Sequence, residues 1–501
     1  MGIIPVGGSK KIMFFKENKY ILSGLSGWLL LAVFSIARYE SIASGSCYFF
    51  SFWPACSSYS SLTYKIGQAI LLLASFILIA FSAKHFINLF NENKYVSNAL
   101  FYVSFIFILL AFLVTPFASA DLNYYFNVGS AVNQDLNPFI DDWQITNNFI
   151  YPPQANWTNG IMYGPLTLSL LSLFTFLSGN NVIIFALLWK ILMIGIFALC
   201  GFLIYKIAKP HIQTSKTTFF FFWLTQPLLL FEWISNGHFD GLWLILILSA
   251  YIFATKKMWW LVFPSILIGT WIKFIPILML PWFVLWWWQA TDKNNWKNNL
   301  GQLTIGIMAS SAITYLSWSK YWEGWQVFKA IGIQSKWAVS SIFSVIYYSL
   351  RPIFDLISTN PHWYLTRLVH LILLALALYF FYPYLKKIYS VILKKEKMSE
   401  MDYLKAISVS LIIYLFIWQK SFWPWYLSWL APLVLIIQYK DNIFKKIFAW
   451  ISIAPLFFYI PQMMNDADMH YLWFFYYVVI LIMAYPLVQL FKSRKNDYKS
   501  S

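Results

Sequence analysis

Charge is what this chain has least of. Only 11% of its 501 residues are Asp, Glu, Lys or Arg, against roughly 25% in soluble domains, and that excludes an ordinary water-soluble fold. Acids are scarcer than bases, 19 against 36, giving a net charge of +17. Cysteine is nearly missing, with three residues. That excludes a disulfide scaffold, and without neighbouring histidines it gives no thiolate metal signature. Cys200 lies in an apolar span and reads as a small buried hydrophobe. Cys47 and Cys56 share the first outer loop and can pair in an oxidising compartment. No internal repeat is visible, which counts against repeat-built secondary transporters.

What is abundant is apolar and aromatic, 60% and 21% of the residues. Apolar stretches of roughly 15 to 22 residues recur along the chain, the pattern of helices that cross a bilayer. Spans are expected at 20–37, 67–87, 98–117, 182–205, 218–234, 241–255, 258–272, 275–289, 300–318, 363–383, 404–418, 426–439, 444–461 and 470–490. The expected fold class is all-α, a polytopic integral membrane protein with about 13–15 membrane helices and long extracytoplasmic loops. One polytopic domain, 1–501, divides into a three-helix extension at 1–117, a first long outer loop at 118–165 and the remaining core at 166–501. Residues 165–177 are too short to span and read as a helix dipping into the outer half of the bilayer.

Lysine clusters in short connections: Lys206 to Lys216, Lys256 and Lys257, Lys293 and Lys297, Lys386 to Lys405, Lys440 to Lys446, and the tail from Lys492. These alternate with lysine-poor loops, as the positive-inside rule requires, and so read as topology rather than nucleic-acid binding. Both termini are then cytoplasmic. Lys10, Lys11, Lys16 and Lys19 precede the first apolar run with no small-residue cleavage site after it, so a retained helix is expected. The membrane is the plasma membrane in a prokaryote and the endoplasmic reticulum in a eukaryote.

The outer loop 118–164 contains no Lys or Arg but holds Asp121, Asp135, Asp141 and Asp142 among Asn, Tyr and Trp. Such a surface suits a hydroxylated ligand such as a sugar. Asp121 stands where a span meets the outer surface, a costly place for a carboxylate unless it is used. A carboxylate at a low-dielectric boundary holds protons more tightly and can serve as a general base; its structural alternative is a helix cap. Asn236-Gly237-His238-Phe239-Asp240 joins two spans on the same face and offers amide, imidazole and carboxylate groups. Lys273, between Trp271 and Phe274, and Lys420, beside Trp423 and Trp425, are cations on the face that should lack them. A phosphate partner would explain both, as would snorkelling. Arg351 is a further candidate phosphate clamp. Most tryptophans, Trp423, Trp425 and Trp429 among them, read as an interfacial aromatic belt. Asn156-Trp157-Thr158 fits a glycosylation acceptor pattern.

In order and spacing these residues resemble the glycosyltransferase C superfamily, and within it the mannosyltransferases of the GPI mannosyltransferase I type, which use polyprenyl- or dolichyl-phosphate mannose. The likeness runs from about Asp121 to Pro281. It is carried by Asp121-Leu122-Asn123-Tyr124, Asn137-Pro138-Phe139, Tyr163-Gly164-Pro165-Leu166, Gln226-Pro227, Gly237-His238-Phe239-Asp240 and Lys273-Phe274-Ile275-Pro276, with an echo at Trp423-Pro424-Trp425-Tyr426. Two departures stand out. Asn123 occupies the second acidic position, which puts metal binding by an acid pair in doubt, and two extra spans precede the loop.

The resemblance implies transfer of a hexose, mannose in that type, from a lipid-linked sugar phosphate to a glycan or glycolipid hydroxyl, with inversion. It implies Asp121 as catalytic base. Asn123, Tyr124, Asn137, Tyr163, Asn236, His238 and Asp240 would bind substrate, and Lys273, Arg351 and Lys420 phosphate. It calls for no cofactor beyond the lipid-linked donor, and for membrane lipids but no nucleic acid as partners. A transporter or flippase of lipid-linked glycans would use a similar outer cavity, but it should also expose a polar path on the cytoplasmic side.

Overall fold

The computed structural model describes residues 8–44, 62–92, 94–116, 119, 121–141, 161–291, 294–329, 341–357, 360–439, 441–460 and 484–500. Among them there is no strand, only a single antiparallel bridge between Tyr163 and Lys273. The protein is an all-α polytopic membrane protein. Cys47, Cys56, the 156–158 pattern and most of the expected 470–490 span lie outside the described residues.

Two long helices open the chain, α1 (Gly8–Ser44) and α2 (Leu62–Asn91), packed on each other. Then come α3 (Asn98–Leu113), α4 (Asp121–Asn133), α5 (Pro165–Leu177) and α6 (Val182–Ala208). Short pieces follow: α7 (Lys216–Leu224), α8 (Pro227–Leu229) and a π-helical turn, Leu230–Ser235. The hairpin is α9 (Gly241–Thr255), α10 (Trp259–Ile272), a 3₁₀ turn (Ile275–Met279) and α11 (Leu280–Ala290). Beyond it lie α12 (Trp296–Trp318), α13 (Ile342–Ile357), the long α14 (Pro361–Leu393) and α15 (Glu400–Ile413), which runs into a second π turn, Tyr414–Trp418. A 3₁₀ segment (Pro424–Trp429), α16 (Ala431–Ile437), α17 (Asn442–Ile453) and α18 (Tyr485–Ser500) complete the chain.

Among the described residues five helical stretches are long and apolar enough to cross a membrane: Asn18–Ile36, Gly67–Asn91, Val182–Ala208, His362–Leu393 and Glu400–Trp418. The expected 300–318 span falls in one unbroken helix, α12, of 23 residues, while others among the described residues are shorter or broken, with Pro227, Pro276 and Pro455 at three of the breaks. Residues 218–234 were expected as one helix, but Pro227 has no N–H and forces Gln226 into an extended conformation (φ −67°, ψ 108°), so the ladder restarts there. The 118–164 segment, expected as loop, opens instead with α4. Its apolar and aromatic residues fill both faces, and nearly all are buried. The periodicity signal is lost because α4 has no solvent stripe.

Hydrogen bonds sort the helix ends into two groups. At one end the Val96 amide donates to Thr218 Oγ1, joining the starts of α3 and α7. Gln289 at the end of α11 bonds both amide and carbonyl of Met398, just before α15. The turns that carry Lys209, Lys257 and Lys395 belong to this end by helix alternation. At the opposite end α3 leads into Asp121, the first π turn into His238 and α10 into Lys273.

Candidate active site

The site is built where four helix ends meet. The C-terminal carbonyls of α3 are held by Lys190, buried in α6, whose Nζ donates to the Phe112 carbonyl at 3.0 Å and also to that of Val114. Cationic donors at a helix C-terminus complement its dipole. Ser235 donates to the Ala111 carbonyl at 2.9 Å. These bonds fix the approach to Ser119, whose Oγ accepts the Asp121 amide at 3.1 Å.

The first π turn brings Glu232 into the interior, where it is fully buried. A π turn inserts an extra residue into a helix and re-aims side chains, a device frequent at functional sites. Glu232 accepts from Tyr459 Oη at 2.7 Å and Asn236 Nδ2 at 3.3 Å, and meets His238 Nδ1 at 3.1 Å. The chain then reverses at Gly237, φ +76°, a left-handed conformation that glycine adopts freely. Trp189 Nε1 anchors this turn by donating to the Gly237 carbonyl at 2.8 Å.

His238 therefore lies between two acids. Nε2 is 3.4 Å from Asp121 Oδ2 and 3.2 Å from Ser119 Oγ, and the ring stacks on Trp425 with centroids 4.6 Å apart. With a carboxylate at each ring nitrogen, both nitrogens donate and the ring is an imidazolium. Burial alone would lower its pKa; hydrogen bonds to Asp121 and Glu232 outweigh that and raise it to about 9. Burial pushes Asp121 upward, the direction expected from the sequence. The His238 bond and charge, with Lys273 behind them, overcome this and hold the carboxyl below its usual value. Tyr125 Oη donates to Asp121 Oδ2 at 3.3 Å.

A second pair lies alongside. Lys273 Nζ is 2.5 Å from Asp240 Oδ1, and Trp243 Nε1 donates to the same oxygen at 3.4 Å. The ammonium also lies over the rings of Trp429 (4.7 Å), Tyr426 (5.6 Å), Tyr163 (5.8 Å) and Phe239 (5.8 Å). Such faces attract a cation. Tyr163 is held beside Lys273 by the backbone bridge, and the Gly164 amide donates to the Ile272 carbonyl at 3.0 Å. A Cβ at Gly164 would come within 2.0 Å of the Trp271 carbonyl oxygen, so this crossing admits only glycine.

Exposure separates the roles. Asp121 and Lys273 keep 17% and 14% of their side-chain surface, whereas Glu232, His238 and Asp240 keep 0%, 1% and 3%. Only the first two can meet a substrate directly. The buried three act through them.

Of the residues singled out in the sequence, Asp121, Tyr163, Asn236, His238, Asp240 and Lys273 converge here. Tyr124 joins them through its ring contact with Tyr163 at 6.2 Å. Asn123 is buried on α4 and accepts from Asn127 Nδ2. Asn137 donates to the Tyr321 carbonyl and Glu323 Oε1, joining the end of α4 to the segment after α12. Arg351 pairs with Asp355 one turn along α13, largely exposed. Lys420 lies over the Phe343 ring at 4.9 Å, and its carbonyl accepts from Ser341. Sequence reasoning passed over Glu232, Lys190, Ser119 and Tyr459. The signal available was an ionisable residue within an apolar run, at Glu232 and Lys190. Trp425 and Trp429, expected in an interfacial belt, instead pack on His238 and under Lys273.

A family model described as alpha-(1->6)-mannopyranosyltransferase, N-terminal domain (MptA_B family), matches residues 21–290, more than half of the chain and all five ionisable groups of the cluster. No curated protein matches the chain.

Proposed function

The chain belongs to the alpha-(1->6)-mannopyranosyltransferase family and is a glycosyltransferase that moves mannose from a sugar donor to a glycan acceptor; on that premise we propose that the donor is a lipid-linked mannosyl phosphate and that Asp121 is the catalytic base. The lysine-bearing helix ends lie opposite the Asp121 end, and positive-inside topology makes that end extracytoplasmic, with both termini cytoplasmic.

The observation that carries the reading is the pairing of one accessible carboxylate, Asp121, with one accessible cation, Lys273, each fixed by a buried counter-ion. An acceptor hydroxyl hydrogen-bonded to Asp121 gives up its proton to the carboxylate as its oxygen attacks the anomeric carbon. The bond to the phosphate oxygen breaks, and its electron pair leaves with the lipid phosphate. Lys273, with two ammonium hydrogens beyond the one spent on Asp240, stabilises the charge developing there. His238 keeps Asp121 ionised and oriented, and Glu232 keeps His238 protonated. Tyr124 and Tyr163 border the sugar site, while buried Asn236 holds Glu232 in place and buried Asn123 holds Asn127 within α4. Attack opposite the departing phosphate inverts the anomeric centre, so an α product calls for a β-linked donor.

The test is transfer by the purified protein from radiolabelled β-linked polyprenyl-phosphate mannose, its α-anomer and a nucleotide-linked mannose, with an α-mannoside acceptor. Use of the β-linked lipid donor alone supports the proposal. Use of the nucleotide sugar alone removes the lipid-linked donor from it.

A further inference from the structure

At the lysine-rich end of the bundle, remote in the fold from Asp121, a cavity of about 310 Å³ opens between α14, α15, α17 and α18. Its polar wall is two ion pairs: Lys387 with Asp402 at 2.7 Å, and Lys405 with Asp441 at 2.8 Å. Neither the reaction nor the family match touches this place, since all its residues follow position 290.

Both carboxylates are committed twice. Asp402 Oδ2 accepts the Ser399 amide and hydroxyl, forming a capping box at the start of α15. Asp441 Oδ1 accepts the Ile443 and Phe444 amides at the start of α17. Each lysine spends one of its three ammonium hydrogens on the remaining carboxylate oxygen. Each lysine thus keeps two ammonium hydrogens while each carboxylate, already accepting three bonds, keeps about one open acceptor position, so donors outnumber acceptors on this wall. That favours an anion.

The opposite wall is apolar: Phe380, Phe444 and Leu490. It reaches the outer surface of α14 through Pro383, which is itself exposed, and Tyr379 one turn before it, 39% exposed. Only 17% of that helix's most apolar stretch is buried, the least of the five long spans among the described residues. An exposed apolar helix face therefore lies next to the wall of ion pairs.

We propose that this cavity is a headgroup site for an anionic phospholipid, with Lys387 and Lys405 on the phosphate and the acyl chains along α14. The bound lipid would clamp α14, α15 and the start of α17, which these two ion pairs link.

The experiment is native mass spectrometry of the full chain, released from detergent with phosphatidylglycerol, phosphatidylcholine or inorganic phosphate present. Phosphatidylglycerol should be retained in preference to phosphatidylcholine. Lys387→Gln with Lys405→Gln should weaken retention roughly thirtyfold, the loss of two lysine attractions to an anionic headgroup. Leu490→Trp fills the cavity from its rim and leaves both ion pairs in place; it should weaken retention as well. Equal retention by wild type and both variants would overturn the proposal. Displacement of the lipid by equimolar inorganic phosphate would overturn it too, making this a free-phosphate site. The readout is lipid retention, so its failure is separate from any failure of the transfer reaction.

Discussion

Nε2 of His238 lies 3.4 Å from Oδ2 of Asp121, and the imidazole's other nitrogen is 3.1 Å from Glu232, a carboxylate with no exposed surface. A histidine between two acids is a cation at neutral pH, and it makes Asp121 an anion that burial alone would disfavour. The site's chemistry follows from this chain of three.

The chain predicts a pH limit. The folded pKa of His238 is raised to about 9, so its ion-pair contribution is fully present below the unfolded value of about 6.5 and is lost as pH rises through about 9. Transfer should therefore hold from neutral pH to about 8 and fall above 9. In Glu232→Gln one of the two acids that raise His238 is gone, and the alkaline limb should move to lower pH. A pH–rate profile checks this; unchanged limbs in the two proteins would remove Glu232 from the chain.

Lys273→Met should cost about 3 kcal/mol of stability, near the low end for a buried pair that loses one partner, because Asp240 is left buried and unpaired. Lys273→Met with Asp240→Asn should recover most of that stability without recovering transfer. Thermal unfolding in detergent and initial rates, measured on both variants, separate the two effects. Recovered activity in the double variant would show that Lys273 serves only to balance Asp240.

Gly164→Ala should destabilise by about 2 kcal/mol or more, because overpacking against backbone cannot be relieved by a rotamer change. The bridge that aligns Tyr163 with Lys273 would open. Lower unfolding temperature together with reduced transfer is the expected result, and an unchanged unfolding temperature would contradict it.

The helical membrane class and the common side of the Asp121 and His238 segments were legible in the sequence, because lysine spacing sets the order of helix ends; their direct contact was not. Three things were hidden. α4 carries no polar stripe, so its buried helix looked like loop. Glu232 sits inside an apolar run, and nothing local reveals that a π turn will aim it at His238. Asn137 and Arg351 carry chemistry in their side chains, but their partners, Glu323 and Asp355, are set by tertiary contacts and by an exposed helix face.

The most direct test is the initial rate of mannose transfer by Asp121→Asn beside wild type, with unfolding temperatures measured on the same samples. A fall of about 10³-fold, within the range for loss of a positioned proton acceptor, with the protein still folded, is the predicted result. A folded Asp121→Asn variant transferring within a few-fold of the wild-type rate would contradict the assignment of Asp121 as the base.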